Sequence, residues 1–68
     1  MRKNLKLFRV EKDLTQTDMA TLTGVSVTTY WNIESGKSRG SMRFWMALKN
    51  AYPEIDIAEM EKVEGARA

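Results

Sequence analysis

"VSVTTYWNIESG", residues 25–36, decides the fold of this chain, because its residue types and its spacing point in opposite directions. Val, Thr, Tyr, Trp and Ile are the types enriched in strands, so propensity alone makes the first nine residues a β-strand. The spacing argues for a helix: Val27, Tyr30, Ile33 and Glu34 stand at i, i+3, i+6 and i+7. A half-buried strand needs strict alternation, whereas Thr28, Thr29, Tyr30 and Trp31 run as two polar and then two aromatic residues. Ser26 stands where an N-cap belongs, and Ser35 with Gly36 ends the element in the manner of a helix C-cap. The stretch is therefore read as a helix over 26–34.

Its neighbours read the same way. Upstream, "LTQTDMATLTG" starts a short helix with Thr15 and puts Asp18 three residues later, the spacing of a capping box. Gly24 ends that helix, where a residue with positive φ is often needed. Before it, "RKNLKLFRVEKD" sets Leu5, Phe8 and Lys12 on one helical stripe with Leu7 and Val10 beside it. Downstream, a fourth helix follows Ser41 with Phe44, Trp45, Leu48, Ala51 and Tyr52 on one broad face, and Pro53 ends it. Asp56 can cap a fifth helix bearing Ile57, Met60 and Val63 on one side, with Gly65 onward expected to fray. Two short helices joined by a tight turn containing Gly, the second bounded by Ser and Ser-Gly, make a helix-turn-helix.

Composition narrows the function. The 68 residues suffice for one domain and contain neither Cys nor His. That excludes disulfides and thiolate metal sites, along with the commonest metal ligand and the commonest general base. With no phosphate-cradling Gly loop and no clustered carboxylates either, an enzyme, a metal and a cofactor are not expected. No apolar run approaches a membrane span and the N-terminus has no signal-peptide core, so a soluble cytoplasmic protein is expected. Charge is uneven. Up to Tyr52, nine Lys or Arg face four Asp or Glu, whereas from Pro53 two face five. A basic body suits a polyanion, because Lys and Arg that neutralise phosphates release counterions.

From Leu5 to about Ile55 the chain resembles the Cro/CI-type (XRE) family of helix-turn-helix phage repressors. The matching residues are Leu5, Arg9 and Leu14, "TQTDMA" with Gln16 and Ala20, "GVS" at 24–26, Tyr30, and "IESGK" at 33–37. The resemblance implies an all-α, compact, five-helix, lambda-repressor-like domain whose second and third helices form the motif. The DNA-binding part would span 1–55, and a short helix and tail over 56–68 would complete the core or a dimer interface. Ala20 fits this packing, since helices crossing at a steep angle need close backbone approach. Val25 and Ile33 are expected in the core, and Tyr30 inward. Arg9 and Glu34 resemble the family's structural ion pair. Two departures stand out: Thr23 where an aliphatic residue is common, with Leu22 where a polar one is usual, and Gly40 where a proline often precedes the fourth helix.

Carried over residue by residue, the resemblance implies base contacts from Val27, Thr28, Trp31 and Asn32. A helix fits the major groove and reads base edges from its N-terminal residues. Asn32 can pair bidentately with adenine, Thr28 can offer its hydroxyl to a base or a phosphate, and the Val27 methyls can meet a thymine methyl. Gln16, Lys37, Ser38, Arg39, Ser41 and Arg43 are the expected phosphate contacts, which fix register without carrying sequence information. Each has a plainer rival. Thr28 and Asn32 serve equally as solvated polar residues, and Val27 can cover the core. Trp31 can stack on sugar and backbone, pack beside Tyr30 or meet a protein. Ile55, Ile57, Met60 and Val63 can close the core or form a two-fold interface.

The implied function is a phage or prophage repressor in the bacterial cytoplasm, associated with the nucleoid. It would read a pseudo-palindromic double-stranded operator as a weak or DNA-assisted homodimer, with no membrane and no small-molecule substrate. The rival class is an antitoxin or anti-repressor that uses the same fold chiefly to bind a partner protein.

Overall fold

The computed structural model describes residues 1–64, so the expectation for Gly65 onward and the end of the 56–68 tail lie outside the described residues. Within them the chain forms five helices: α1 Lys3–Glu11, α2 Gln16–Thr23, α3 Val27–Ser35, α4 Met42–Ala51 and α5 Ile57–Glu61. The decisive stretch is helical, beginning and ending one residue later than its sequence reading. Propensity lost to packing there, as it commonly does when a residue costs at most about 0.7 kcal/mol relative to Ala.

Local chemistry sets the helix starts. Thr15 Oγ1 accepts from the Asp18 N–H at 3.0 Å and the Asp18 carboxylate accepts from the Thr15 N–H at 2.9 Å, so the capping box is complete. Ser26 caps α3, Ser41 caps α4 and Asp56 caps α5, each through its side-chain oxygen. Each such cap satisfies one orphan N–H and is worth about 1 kcal/mol. Gly24 and Gly36 close α2 and α3 in the left-handed conformation. The turn after α1 instead uses Asp13 at φ 58°, a conformation that Asp tolerates better than most side chains.

α2 packs on α3 and α4, and α1 packs on α5 and α3. Between them lies a core of Leu5, Phe8, Met19, Ala20, Tyr30, Ile33, Phe44, Trp45, Leu48 and Ile55. Aromatic rings lock edge to face within and against it: Phe8 meets the half-buried Tyr52 at 5.0 Å and Phe44 meets Trp45 at 4.8 Å between centroids. Such pairs contribute about 0.5–1.5 kcal/mol beyond their burial. Lys12, the residue that caps the end of α1, is exposed and places its ammonium 5.7 Å over Phe8 and 5.5 Å over Tyr52.

Several positions differ from their sequence reading. Val25 is only half-buried at the edge of the core, and Ala51 on α4 is exposed. Leu7 and Val10 are also exposed, because α3 and α5 pack on the Leu5–Phe8 side of α1. Thr23 takes a buried position by donating its hydroxyl back to the Met19 carbonyl at 2.7 Å, while Leu22 packs against the core beside it. Gly40 has φ +77°, and a Cβ there would lie 2.9 Å from Trp45 Nε1. The loop before α4 thus needs glycine for close approach to the indole.

Of the two roles open to the tail residues, closing the core or forming a two-fold interface, Ile55 takes the first. Ile55 is only 5% exposed and is part of its own subunit's core, so it has no free surface for a partner. Ile57 and Met60 are half-buried against the same core, and only Val63 of that group is exposed.

Candidate nucleic-acid interface

The position of α3 is fixed by one buried carboxylate. Glu34 is 3% exposed and receives four side-chain donors. Arg9 Nε donates at 2.7 Å and the Tyr30 hydroxyl at 2.6 Å to Oε2; Gln16 Nε2 donates at 3.1 Å and Arg9 Nη2 at 3.5 Å to Oε1. Arg9 also donates to the Leu14 carbonyl at 2.9 Å, tying the turn after α1 to the same cluster. The expected Arg9–Glu34 pair is therefore present, at the centre of a network that joins α1, α2 and α3. Burial alone would raise the Glu34 pKa, but the donors from Arg9, Tyr30 and Gln16 outweigh it and hold the carboxyl below its ordinary range. The hydrogen bond to Glu34 raises the Arg9 pKa, and burial followed by the bond to Glu34 raises that of Tyr30.

With Tyr30, Ile33 and Glu34 turned inward, α3 presents its other side to solvent. Thr28 is exposed, Val27 is 45% and Trp31 44% exposed, and Asn32 is half-buried. The Asn32 carbonyl accepts from the Lys37 N–H at 2.9 Å and the Ser38 N–H at 3.1 Å, so the loop after α3 folds back onto the helix end. Lys37 lies with its ammonium 4.6 Å over the Trp31 ring. Val27 and Gln16 line one shallow cleft, and Gln16 and Trp31 line another. The structure thus brings Gln16, Val27, Trp31 and Lys37 side by side along the edge where α3 meets α2.

The remaining expected phosphate contacts lie on the loop and at the start of α4. Lys37, Ser38, Arg39, Ser41 and Arg43 are all exposed. The Ser41 hydroxyl already accepts from the Phe44 N–H at 3.1 Å, which leaves its proton for another acceptor. Gln16 likewise commits one amide N–H to Glu34 and retains the other.

One supporting residue was missed in the sequence. Arg2 is 5% exposed, and its guanidinium donates to four carbonyls: Ile33 at 2.5 Å, Ser38 at 2.7 Å, Arg39 at 3.3 Å and Glu61 at 3.1 Å. It ties the C-terminal end of α3 and the following loop to the end of α5. A cation is favourable beside such a helix end, where unsatisfied carbonyls carry partial negative charge. Desolvation by burial lowers its pKa and nearby Glu61 partly offsets the shift, but a guanidinium remains charged throughout the working pH range.

α3 is braced inward, exposed on its outer side and set against α2 by a left-handed glycine turn, and the sequence of residues 2–62 matches a helix-turn-helix domain family model. The chain belongs to this family. A helix-turn-helix domain points to double-stranded DNA binding and to transcription regulation, and the family is typically non-enzymatic. A comparison with curated proteins and another with solved structures returned no match. Among the described residues of this helix-turn-helix domain, no helix is long and apolar enough to cross a membrane.

Proposed function

We propose that the protein is a Cro-like repressor of phage or prophage origin that reads a double-stranded operator by laying α3 in the major groove. The observation that carries this reading is the two-sidedness of α3. Tyr30, Ile33 and Glu34 are held inward while Thr28 is exposed and Asn32 half-buried on the other side. Thr28 and Asn32 have the hydrogen-bonding groups that distinguish bases in the major groove, and Val27 supplies methyls for a thymine. Gln16, Lys37, Ser38, Arg39, Ser41 and Arg43 act on phosphates, setting register. The Glu34 network supports this by making α2 and α3 one rigid unit.

As a homodimer on a pseudo-palindromic operator the protein addresses half-sites about 34 Å apart, one turn of the duplex. Because Ile55, Ile57 and Met60 are engaged by their own core, the dimer is weak in solution and assembles on DNA. The protein works in the host cytoplasm, at the nucleoid. Incubation with a random-sequence duplex pool, followed by recovery and sequencing of the bound fraction, tests the reading. An enriched motif with two-fold symmetry is expected, and a pool recovered without enrichment at any position would refute sequence-specific binding.

A further inference from the structure

Trp31 does not stand at the middle of the outward side of α3. At about 100° per residue, the outward side is centred between Thr28 and Asn32, and Trp31 lies toward Val27 and Glu34, where α3 meets α2. Its indole lines a cleft with Lys6, Arg9 and Gln16. The Arg9 charge there is already matched by Glu34 at 2.7 Å. Lys6 and Lys37 are exposed, and among the described residues neither forms an ion pair. The Lys37 ammonium is 4.6 Å over the ring, a placement that uses none of its three N–H donors. The cleft thus has an apolar wall large enough for a sugar, Lys6, the unused amide N–H of Gln16 and the Glu34 carboxylate, which is already matched by Arg9; Lys37 is not in its lining but sits on the same indole.

We infer that Trp31 and Lys37 act as one unit that seats the sugar–phosphate backbone of one DNA strand at the α2 side of α3, with Trp31 positioning Lys37 for a phosphate. This rests on the DNA-binding reading above and assigns Trp31 to affinity, leaving base discrimination to Thr28 and Asn32. Loss of an exposed cation–π partner weakens binding about two- to fivefold, and loss of one phosphate contact makes the log–log salt dependence shallower by about 0.9.

The test measures dissociation constants for a selected duplex and a scrambled one across a salt series, using wild type, Trp31→Leu, Trp31→Phe, Lys37→Met and the Trp31→Leu/Lys37→Met double variant. Thermal melts establish that each variant folds. Trp31→Leu is expected to weaken both duplexes by the same factor with the shallower slope. Trp31→Phe, which keeps an aromatic face, should restore most of both. Adding Lys37→Met to Trp31→Leu should cost nothing more. A changed ratio between the two duplexes with an unchanged slope would make Trp31 a base reader and overturn the inference. Unchanged binding to both duplexes would overturn it as well, leaving the indole to a protein partner. Wild type that binds neither duplex at low salt would instead remove the DNA-binding reading, and the inference with it.

Discussion

Replacing Arg2 by Met removes the guanidinium while keeping an unbranched chain in the same space. Four carbonyls lose the hydrogen bond from the guanidinium, on Ile33, Ser38, Arg39 and Glu61. The bond to Ile33 is buried and the other three are partly buried, so water replaces the donor at three of the four positions. The Ile33 carbonyl keeps the Gly36 N–H at 3.1 Å and the Arg39 carbonyl keeps the Trp45 indole N–H at 3.1 Å, so the cost is four forfeited hydrogen bonds at about 1 kcal/mol each rather than a stranded acceptor. Relief from burying a cation offsets part of this, leaving a loss of about 3 kcal/mol. In a domain of this size 1 kcal/mol moves Tm by about 4–8 °C, so the melting temperature should fall by about 12 °C or more. Circular dichroism melts with a single cooperative transition measure it directly. Arg2→Lys should fall between the two, because an ammonium has three donors and lacks the planar fork. A Tm within about 3 °C of wild type for Arg2→Met would show that the four carbonyl contacts do not hold the end of α3, its loop and α5 together.

Glu34→Gln strands the Arg9 guanidinium and should cost about 3–5 kcal/mol near neutral pH by urea unfolding. Because the folded-state pKa of Glu34 is depressed, its contribution is fully present above the unfolded value near 4.3. As pH falls through the folded-state value, that contribution is lost and the gap between wild type and Glu34→Gln should close; a gap that widens in acid would refute this sign. Gly40→Ala places a Cβ 2.9 Å from Trp45 Nε1 at a left-handed φ. A loss of about 1–2 kcal/mol in the same assay is expected, and equal stability would contradict the close approach. The three cationic phosphate contacts, Lys37, Arg39 and Arg43, imply a wild-type log–log salt slope of about −2.7 per subunit, and a flat dependence would rule out these contacts.

The helix boundaries were readable because their determinants are local. The Thr15–Asp18 box and the Ser26, Ser41 and Asp56 caps each act within three residues of themselves, so spacing along the chain is enough to find them. The Arg9–Glu34 pair was readable only through family resemblance, since 25 residues separate the partners. The Tyr30 hydroxyl did have a local signal: it stands four residues before Glu34 on the same helix, where the two side chains meet. Arg2 had none. Its partners are backbone carbonyls, which every residue carries, 31 to 59 positions away. Apolar pattern alone also could not say which side of α1 is covered, and Leu7 and Val10 are exposed although they adjoin the Leu5–Phe8 stripe. On α3 the strand-like residues reflect two demands: Tyr30 and Ile33 fill the core, while Val27, Thr28 and Trp31 remain exposed.

The central claim is that Thr28 and Asn32 on the outward side of α3 read bases. Its most direct test is the ratio of affinities for a selected duplex and a scrambled one, at one fixed salt concentration, for wild type, Thr28→Ala and Asn32→Ala. Both side chains lie outside the Glu34 network, so the variants should melt with wild type. A lost bidentate base contact costs about 1–3 kcal/mol at the cognate site only. The account predicts a ratio for Asn32→Ala reduced about tenfold or more, with a smaller reduction for Thr28→Ala and scrambled-duplex binding unchanged. Ratios equal to wild type in both variants would contradict it.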